Sequence, residues 1–369
     1  MGASRVKSVV DLRGRTHQLT GDLGGGGFGA VYLTANDRTL VKVSHKDSPS
    51  ADLARLRALP LEQLPVVSIV CDLAPPDRGY VMEAAVGGVS LCMALQVGLS
   101  APSFLSAYRR LSEVLVLLHA RGLVFGDLNP NNVLISKDAE RIVLIDLDGL
   151  AAVGSTVRQR VRHFQDPARG ANAQTPEDIW SLCLLLQCIW DADARKLGPF
   201  GDPPSARFGG IAPSTSALVE EVFGAGRLDH DSRPRARAFW HALSRDEDAL
   251  SRCLSCTSWL AAAAQCTTCG GSSPPGLSLE VITGMGPTGV LWLQEHARRA
   301  LRRRHVNPVP SATEDDVWAW ASARNGTVSV VAADGAAVPV EQTSTGSFLV
   351  RGPTGERLEL VPRRLGASA

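Results

Sequence analysis

Net charge is almost absent from this chain: 38 Lys and Arg face 37 Asp and Glu over 369 residues, leaving +1. No global field draws such a protein toward nucleic acid or a lipid surface, so any role of that kind has to rest on a local patch. A secretory leader is missing as well, since "MGASRVKSVVDLRGR" contains no apolar stretch. The longest apolar runs, such as "LCLLLQCIW", are too short for a bilayer and are interrupted by glutamine. These absences lead us to expect a cytoplasmic protein without a membrane partner. The Gly-Lys-Ser/Thr of a Walker phosphate loop is lacking, and no internal repeat is visible.

What is present is globular material, 44% hydrophobic and 20% charged, long enough for two or three domains. The eight cysteines fall into two groups. Cys71, Cys92, Cys183 and Cys188 sit singly in apolar surroundings and behave as small core residues. Cys253, Cys256, Cys266 and Cys269 form a CxxC…CxxC set. In a reducing compartment that spacing favours metal over disulfides, each CxxC knuckle offering two thiolates to one tetrahedral ion. We expect a zinc ribbon over residues 250–272 that binds Zn2+ structurally, because four thiolates leave no open position. A redox CxxC pair is the competing reading, and the surrounding sequence does not suit a thioredoxin fold.

Hydrophobic periodicity divides the rest. Residues 16–45 alternate apolar and polar positions around a glycine cluster, which predicts an antiparallel hairpin. "APSFLSAYRRLSEVLVLLHARG" (101–122) has helical spacing and a terminal glycine, and "TPEDIWSLCLLLQCIW" (175–190) is apolar almost all round, as a buried helix would be. Strands first and helices later predict a two-lobed α+β domain over residues 15–247. "GGSSPPG" (270–276) reads as a linker. Beyond it we expect a basic helical region over 278–325, with "VLWLQEHARRALRRR" (290–304) as its main helix, and a small β module over 326–364.

Chemistry-bearing residues cluster in the α+β domain. "LGGGGFGAVYL" supplies Gly24, Gly26, Phe28, Gly29 and Val31. A dinucleotide fingerprint would need a helix next, whereas "AVYLTAN" is strand. What remains is a hairpin whose backbone N–H groups can cover phosphates, with Phe28 at its tip and Val31 against a purine ring. A plain glycine-rich turn fits the stretch equally well until Lys42 is considered. Lys42 comes one strand later, between Val41 and Val43, where an ammonium would reach α and β phosphates. Asp127 and Asn132 in "VFGDLNPNNVLI" keep a D-x4-N spacing that suits phosphoryl transfer, a carboxylate for the incoming hydroxyl and an amide for a metal ion. Asp146 ends an apolar strand in "VLIDLDG", where a hard oxygen ligand would meet magnesium, and Asp148 either adds a carboxylate to the site or faces away from it.

This ordered set resembles a eukaryotic-type (Hanks-like) protein kinase, in the bacterial branch whose catalytic loop reads GDLNxxN and whose metal loop reads IDxD. The resemblance spans residues 20–245. It implies a bilobal fold, with a β-rich N-lobe and a helical C-lobe. By the same resemblance ATP and Mg2+ (or Mn2+) are the cofactors, and a protein hydroxyl, of Ser or Thr on family grounds, is the acceptor. Asp127 is then the catalytic carboxylate; Asn132 and Asp146 carry the metal. Lys42 and the Gly24–Gly29 loop hold phosphates. Met82 is the gatekeeper of a hinge, and Glu83 and Ala85 offer backbone bonds to adenine. Asp178 and Trp180 resemble the helix anchor that braces the catalytic loop. Phe125 and Gly126 replace the family's His-Arg, and losing that arginine implies independence from activation-loop phosphorylation. Arg233 matches a late C-lobe arginine, yet Ala168 occupies the position of its glutamate partner. The partner of Lys42 is equally open, Glu62 and Asp52 being the candidates. A pseudokinase acting as a nucleotide-responsive scaffold, with Asn129 in place of a lysine, is one alternative. An aminoglycoside-type small-molecule kinase is another.

In the tail, "VITGMGPTGVLWL" resembles the hairpin of helix-hairpin-helix modules, where Gly284 and Gly286 would let backbone amides meet a nucleic-acid phosphate. Arg298, Arg299, Arg302, Arg303 and Arg304 on the adjoining helix would add charge. The same residues fit a turn leading into a basic face, solvated or docked on an acidic protein.

Overall fold

The computed structural model describes residues 8–363 apart from 27–28, 46–55, 57, 76–77, 86–87, 157–163, 165, 189–209, 263, 267, 295–296, 311–315 and 353–354. Phe28 and Asp52 therefore lie outside the described residues.

The N-terminal lobe is one antiparallel sheet, ordered β1-β2-β3-β4-β6-β5. Its strands are β1 (Ser8–Val10), β2 (Thr16–Gly26), β3 (Gly29–Thr34), β4 (Thr39–Ser44), β5 (Ile69–Asp72) and β6 (Gly79–Glu83). β-Branched residues on pleated, half-buried surfaces favour these strands. Val41 and Val81, cross-strand partners, are fully buried. After β7 (Gly88–Ser90) the chain turns helical with α1 (Leu91–Val97) and α2 (Ala101–Ala120). The Ser100 hydroxyl caps α2 by accepting from Ser103 N–H, and Gly122 ends the turn beyond it at φ +68°. The other C-lobe helices are α3 (Thr175–Cys188), α4 (Pro213–Phe223) and α5 (Ala236–Asp248). A single apolar core runs through both lobes, from Tyr80 and Met82 to Leu115, Leu182 and Phe239. The expected two-lobed α+β architecture is present.

Two small β pairings lie between α2 and α3. β8 (Leu123–Val124) pairs with β11 (Ala151–Ala152), and β9 (Val133–Ser136) pairs with β10 (Ile142–Leu144). The segments 125–132 and 145–150 are thus clamped together at both ends.

Beyond α5, β12 (Leu250–Arg252) and β13 (Trp259–Ala261) form the hairpin that carries the four-cysteine set. Trp259 packs against the C-lobe core with the Arg252 guanidinium 3.9 Å from its ring centroid. The tail departs from expectation. Where a basic helix was predicted over 290–304, the chain makes β15 (Gly286–Gln294), β16 (Arg298–Arg302) and a single turn, α6 (Arg303–Val306). β14 (Gly276–Thr283) pairs with β15 along its length, so Gly284 and Met285 form the tip of a β-hairpin, and the helix-hairpin-helix expectation fails. The physical cause is burial: Leu291, Trp292 and Leu293 are all enclosed, Leu291 and Leu293 facing a core shared with Leu279 and Val281.

The remaining strands are β17 (Val317–Arg324), β18 (Thr327–Ala332), β19 (Ala337–Val338), β20 (Val340–Gln342), β21 (Phe348–Arg351) and β22 (Arg357–Arg363). They complete two sheets, β15-β14-β22-β21-β20 and β16-β17-β18-β19, around one core. The expected division at 325/326 therefore does not exist, because strands from both sides of it share that core.

The tail arginines are not a free basic face either. Arg304 bridges Asp248 at 2.7 Å and Glu247 at 3.2 Å, Arg302 reaches Glu140 at 3.3 Å, and Arg299 donates to the Leu250 carbonyl. His305 Nε2 lies 2.6 Å from Asp248 Oδ2, while its Nδ1 accepts from Arg302 N–H. The residues on which a nucleic-acid or acidic-protein partner was expected are thus largely spent on the C-lobe of the same chain. Among the described residues no helix is long and apolar enough to cross a membrane.

Candidate active site

Lys42 sits on β4 opposite Val31 of β3 and Tyr80 of β6. Only 5% of it is exposed. Its Nζ donates to Asp146 Oδ1 at 2.5 Å and to Asp148 Oδ2 at 2.7 Å, with the Tyr80 ring centroid 5.9 Å away. Burial by itself would lower the lysine's pKa, but the two carboxylates outweigh it and hold the ammonium above its ordinary value. Burial, and then the Asp146 charge, push the Asp148 carboxyl upward against the pull of Lys42. Burial beside those two carboxylates also drives the Tyr80 phenol well above its usual range.

Asp146 adopts a left-handed conformation, φ 61° and ψ 76°, which a non-glycine residue holds only where its surroundings impose it. The cause is visible in its neighbours. The Ile145 N–H donates to Asn132 O at 2.9 Å on one side, and Leu147 is fully buried on the other. Asn132 in turn donates from Nδ2 to Asp127 Oδ2 and to Asp127 O, both at 2.9 Å. Asn129 Nδ2 donates to the same carbonyl at 3.1 Å and its side-chain oxygen accepts from Asn131 N–H, so it braces the loop.

The letters that depart from the family pattern have a steric explanation. Gly126 has φ +75°, and a Cβ there would lie 2.6 Å from Gly149 O. A Cβ on Gly149 would lie 2.8 Å from Asp127 Cβ. The 125–132 and 145–150 segments touch backbone to backbone at these two glycines, and an arginine at 126 would force them apart. From below, the carboxylate of buried Asp178 on α3 accepts from Phe125 N–H and Gly126 N–H, each at 2.8 Å, with His119 Nε2 at 3.1 Å.

A second departure is resolved by Asp166, which sequence reasoning missed. Arg233 does have an acid partner: both its terminal nitrogens bond the Asp166 carboxylate, Nη2 at 2.7 Å, and Asp166 also meets His230 Nε2 at 2.8 Å. Asp166 stands two positions before Ala168, and its place in "QDPA" was the only available signal.

The nucleotide-facing candidates lie on the N-lobe sheet. Met82 is buried on β6 opposite Leu40, Glu83 ends that strand exposed, and Ala85 lies two residues past it, half-buried. Gly24 (φ +124°), Gly26 and Gly29 form the β2–β3 hairpin, with Gly26 and Gly29 paired at its end. Glu62 is exposed in a turn far from any ion pair with Lys42, its carbonyl accepting from Arg121. The oxygen-rich set Asp146, Asp127 and Asn132 beside a buried lysine suits a magnesium–polyphosphate ligand, whereas Asp148 is turned to the lysine.

At the cysteine set, the four sulfurs lie within 4.8 Å of one another, with Cys253–Cys269 at 3.5 Å and Cys256–Cys266 at 3.6 Å. Zn–S bonds of about 2.3 Å in a tetrahedron require sulfurs about 3.8 Å apart, so the set fits one metal ion. The Ser258 hydroxyl and backbone N–H lower the Cys256 thiol to about 6, which favours the ligating thiolate.

No protein-family model matches the chain. Its curated relatives are nevertheless consistent. It is 24% identical over 212 residues to the serine/threonine-protein kinase PknD of Chlamydia abortus, covering 44% of this chain and 23% of that protein. It is 31% identical over 183 residues to the serine/threonine-protein kinase Pkn1 of Myxococcus xanthus, covering 46% and 25% respectively. The chain thus spans about a quarter of the length of these relatives. Among solved structures, vaccinia related kinase 3 aligns with a TM-score of 0.49 at 17% identity, over 66% of this chain and 92% of that one.

Proposed function

We propose that this chain, which carries a protein kinase domain of the Hanks-like type, transfers the γ-phosphate of ATP to a serine or threonine hydroxyl of a protein. The observation that supports this reading is the set of hydrogen bonds that links Lys42, Asp146, Asn132 and Asp127. Lys42 bonds Asp146 across 104 residues, and Asn132 bonds Asp127 while its backbone holds Ile145.

In this reading Asp127 orients the acceptor hydroxyl and accepts its proton, with Asn132 fixing the carboxylate's direction. Asn132 and Asp146 hold magnesium, which when bound neutralises charge on the β and γ phosphates. Lys42 contacts the α and β phosphates, and the Gly24–Gly29 hairpin covers them. Met82 lines the back of the adenine pocket, where Glu83 and Ala85 present backbone groups. Cys253, Cys256, Cys266 and Cys269 hold a structural zinc, which supplies folding energy to a hairpin too small for a core of its own. A reducing cytoplasm keeps those thiols available.

Two substitutions test the reading. Lys42→Met should abolish binding of a fluorescent ATP analogue or weaken it severely. Asp127→Asn should bind the analogue but lose ATP turnover. Turnover unchanged in Asp127→Asn would leave a nucleotide-responsive scaffold as the better description.

A further inference from the structure

A lysine on a four-carbon stem is a poor phosphate ligand unless something aims it, and protein kinases commonly aim it with a glutamate from the helix after the lysine strand. Glu62, the one glutamate between Lys42 and β5, is exposed in a turn and makes no ion pair with it. We propose that Asp148 is the positioning residue for Lys42, doing from the metal loop what that glutamate does from a helix. The inference rests on the phosphotransfer reading above and names a role for a residue that the reading leaves unused.

Four observations support it. Asp148 Oδ2 is 2.7 Å from Lys42 Nζ. The two carboxylates on Lys42 differ in access: 33% of the Asp146 side chain is exposed, against 8% for Asp148. Asp146 therefore faces the cleft, where a metal ion would claim it, while Asp148 lies behind and remains with the lysine. The position of Asp148 is fixed on both sides, by fully buried Leu147 and by Gly149, whose backbone is wedged against Asp127 and Phe125. Finally, Tyr80 lies directly across the β4–β6 ladder from the lysine, its ring centroid 5.9 Å from Nζ, and encloses the group further.

One consequence concerns regulation. In this arrangement the phosphate-binding lysine and the metal-binding aspartate are set by a single turn, Asp146–Gly149, rather than by a helix that can swing away. Gly126, in place of a phosphate-sensing arginine, fits the same scheme. Assembly of the site then needs no loop phosphorylation.

The experiment uses the full-length chain as wild type, Asp148→Asn and Asp146→Asn. Magnesium is titrated against binding of a fluorescent ADP analogue, and kcat for ATP turnover is measured alongside. Asp148→Asn should keep the magnesium half-saturation within about twofold of wild type and lower kcat about tenfold or more, the worth of one charged buried hydrogen bond. Asp146→Asn should raise the magnesium requirement about tenfold or more. An Asp148→Asn variant whose magnesium requirement rises as far as that of Asp146→Asn would make Asp148 a metal ligand and overturn the proposal. So would an unchanged kcat. A crystal structure of the wild type with a non-hydrolysable ATP analogue and magnesium gives a test independent of any variant's folding. Lys42 Nζ should stay within about 3.2 Å of Asp148 while Asp146 turns to the metal. Lys42 paired instead with an acid from residues 46–62 would overturn the proposal. A wild type that binds no nucleotide would refute the phosphotransfer reading itself.

Discussion

Replacing Gly126 with alanine probes the close contact between the 125–132 and 145–150 segments. Two costs are separable. The first is conformational: at φ +75° an L-residue pays about 1–2 kcal/mol, partly offset by about 0.4–1 kcal/mol of lost unfolded-state freedom. The second is steric. The new methyl would sit 2.6 Å from Gly149 O, and neither backbone can turn aside, because Asp178 holds the Gly126 N–H at 2.8 Å. Opening the loops by roughly half an ångström is overpacking of a closed site, about 1–3 kcal/mol. The sum is a loss of about 1–5 kcal/mol, each kcal/mol lowering Tm by roughly 2–4 °C for a domain of this size. Gly154→Ala is the matched control, since Gly154 has φ +82° and no heavy atom within 4 Å of its Cβ position. It should cost at most about 1.5 kcal/mol. Activity should separate the two further. Asp127, to which we assign the acceptor hydroxyl, is the next residue after Gly126, and in that role a shift of about 1 Å would cost about a hundredfold. Thermal melting and ATP turnover of both variants make the comparison. Equal stability losses, with turnover intact in Gly126→Ala, would refute the steric argument.

Three other outcomes are expected. Arg233→Ala should cost about 3–5 kcal/mol in urea unfolding, because it leaves the Asp166 carboxylate, 2% exposed, buried without its guanidinium; a loss under about 1 kcal/mol would show that the pair is not a brace. Burial would raise the pKa of Asp248, but Arg304 and His305 outweigh it and hold the carboxyl below its ordinary 3.8, so the stability it contributes is present above that value and fades as pH falls through the lower folded value. Asp248→Asn should therefore be less stable than wild type at pH 7, with the gap closing in strong acid; a gap constant from pH 7 to acid would contradict the assignment. Cys253→Ser should reduce bound zinc from about one per chain to near none and lower Tm, measured by metal analysis and calorimetry. Wild-type protein that purifies metal-free and melts identically with and without chelator would remove the metal from the account.

How much of the molecule was legible in the sequence depends on how far each physical cause reaches along the chain. Lys42, Asp127, Asn132 and Asp146 could be picked out as candidates because each lies within a short segment whose neighbours are chemically informative, and the structure links Lys42 to Asp146 and Asn132 to Asp127. Gly126 and Gly149 were visible as letters, yet the reason for them is a contact between two loops that spacing does not encode. Asp166 was overlooked because its partner is 67 residues away and the acid is displaced by two positions from the expected one. The tail was misread for a physical reason. "VLWLQEHARRALRRR" has both helical charge spacing and a dense apolar run, and the run decides, because Leu291 and Leu293 complete a core with strands up to about seventy residues further on. Its arginines looked like a surface for an outside partner because Glu140, Glu247 and Asp248, which bind them, belong to a different domain.

Radiolabelled phosphate transfer from [γ-32P]ATP with magnesium, to the chain itself and to proteins encoded beside it, bears most directly on the central claim. Wild type should label protein on serine or threonine, and Asp127→Asn, folded and still binding nucleotide, should not. Labelling that persists undiminished in Asp127→Asn, or wild type that binds magnesium and ATP but never transfers phosphate, would contradict it.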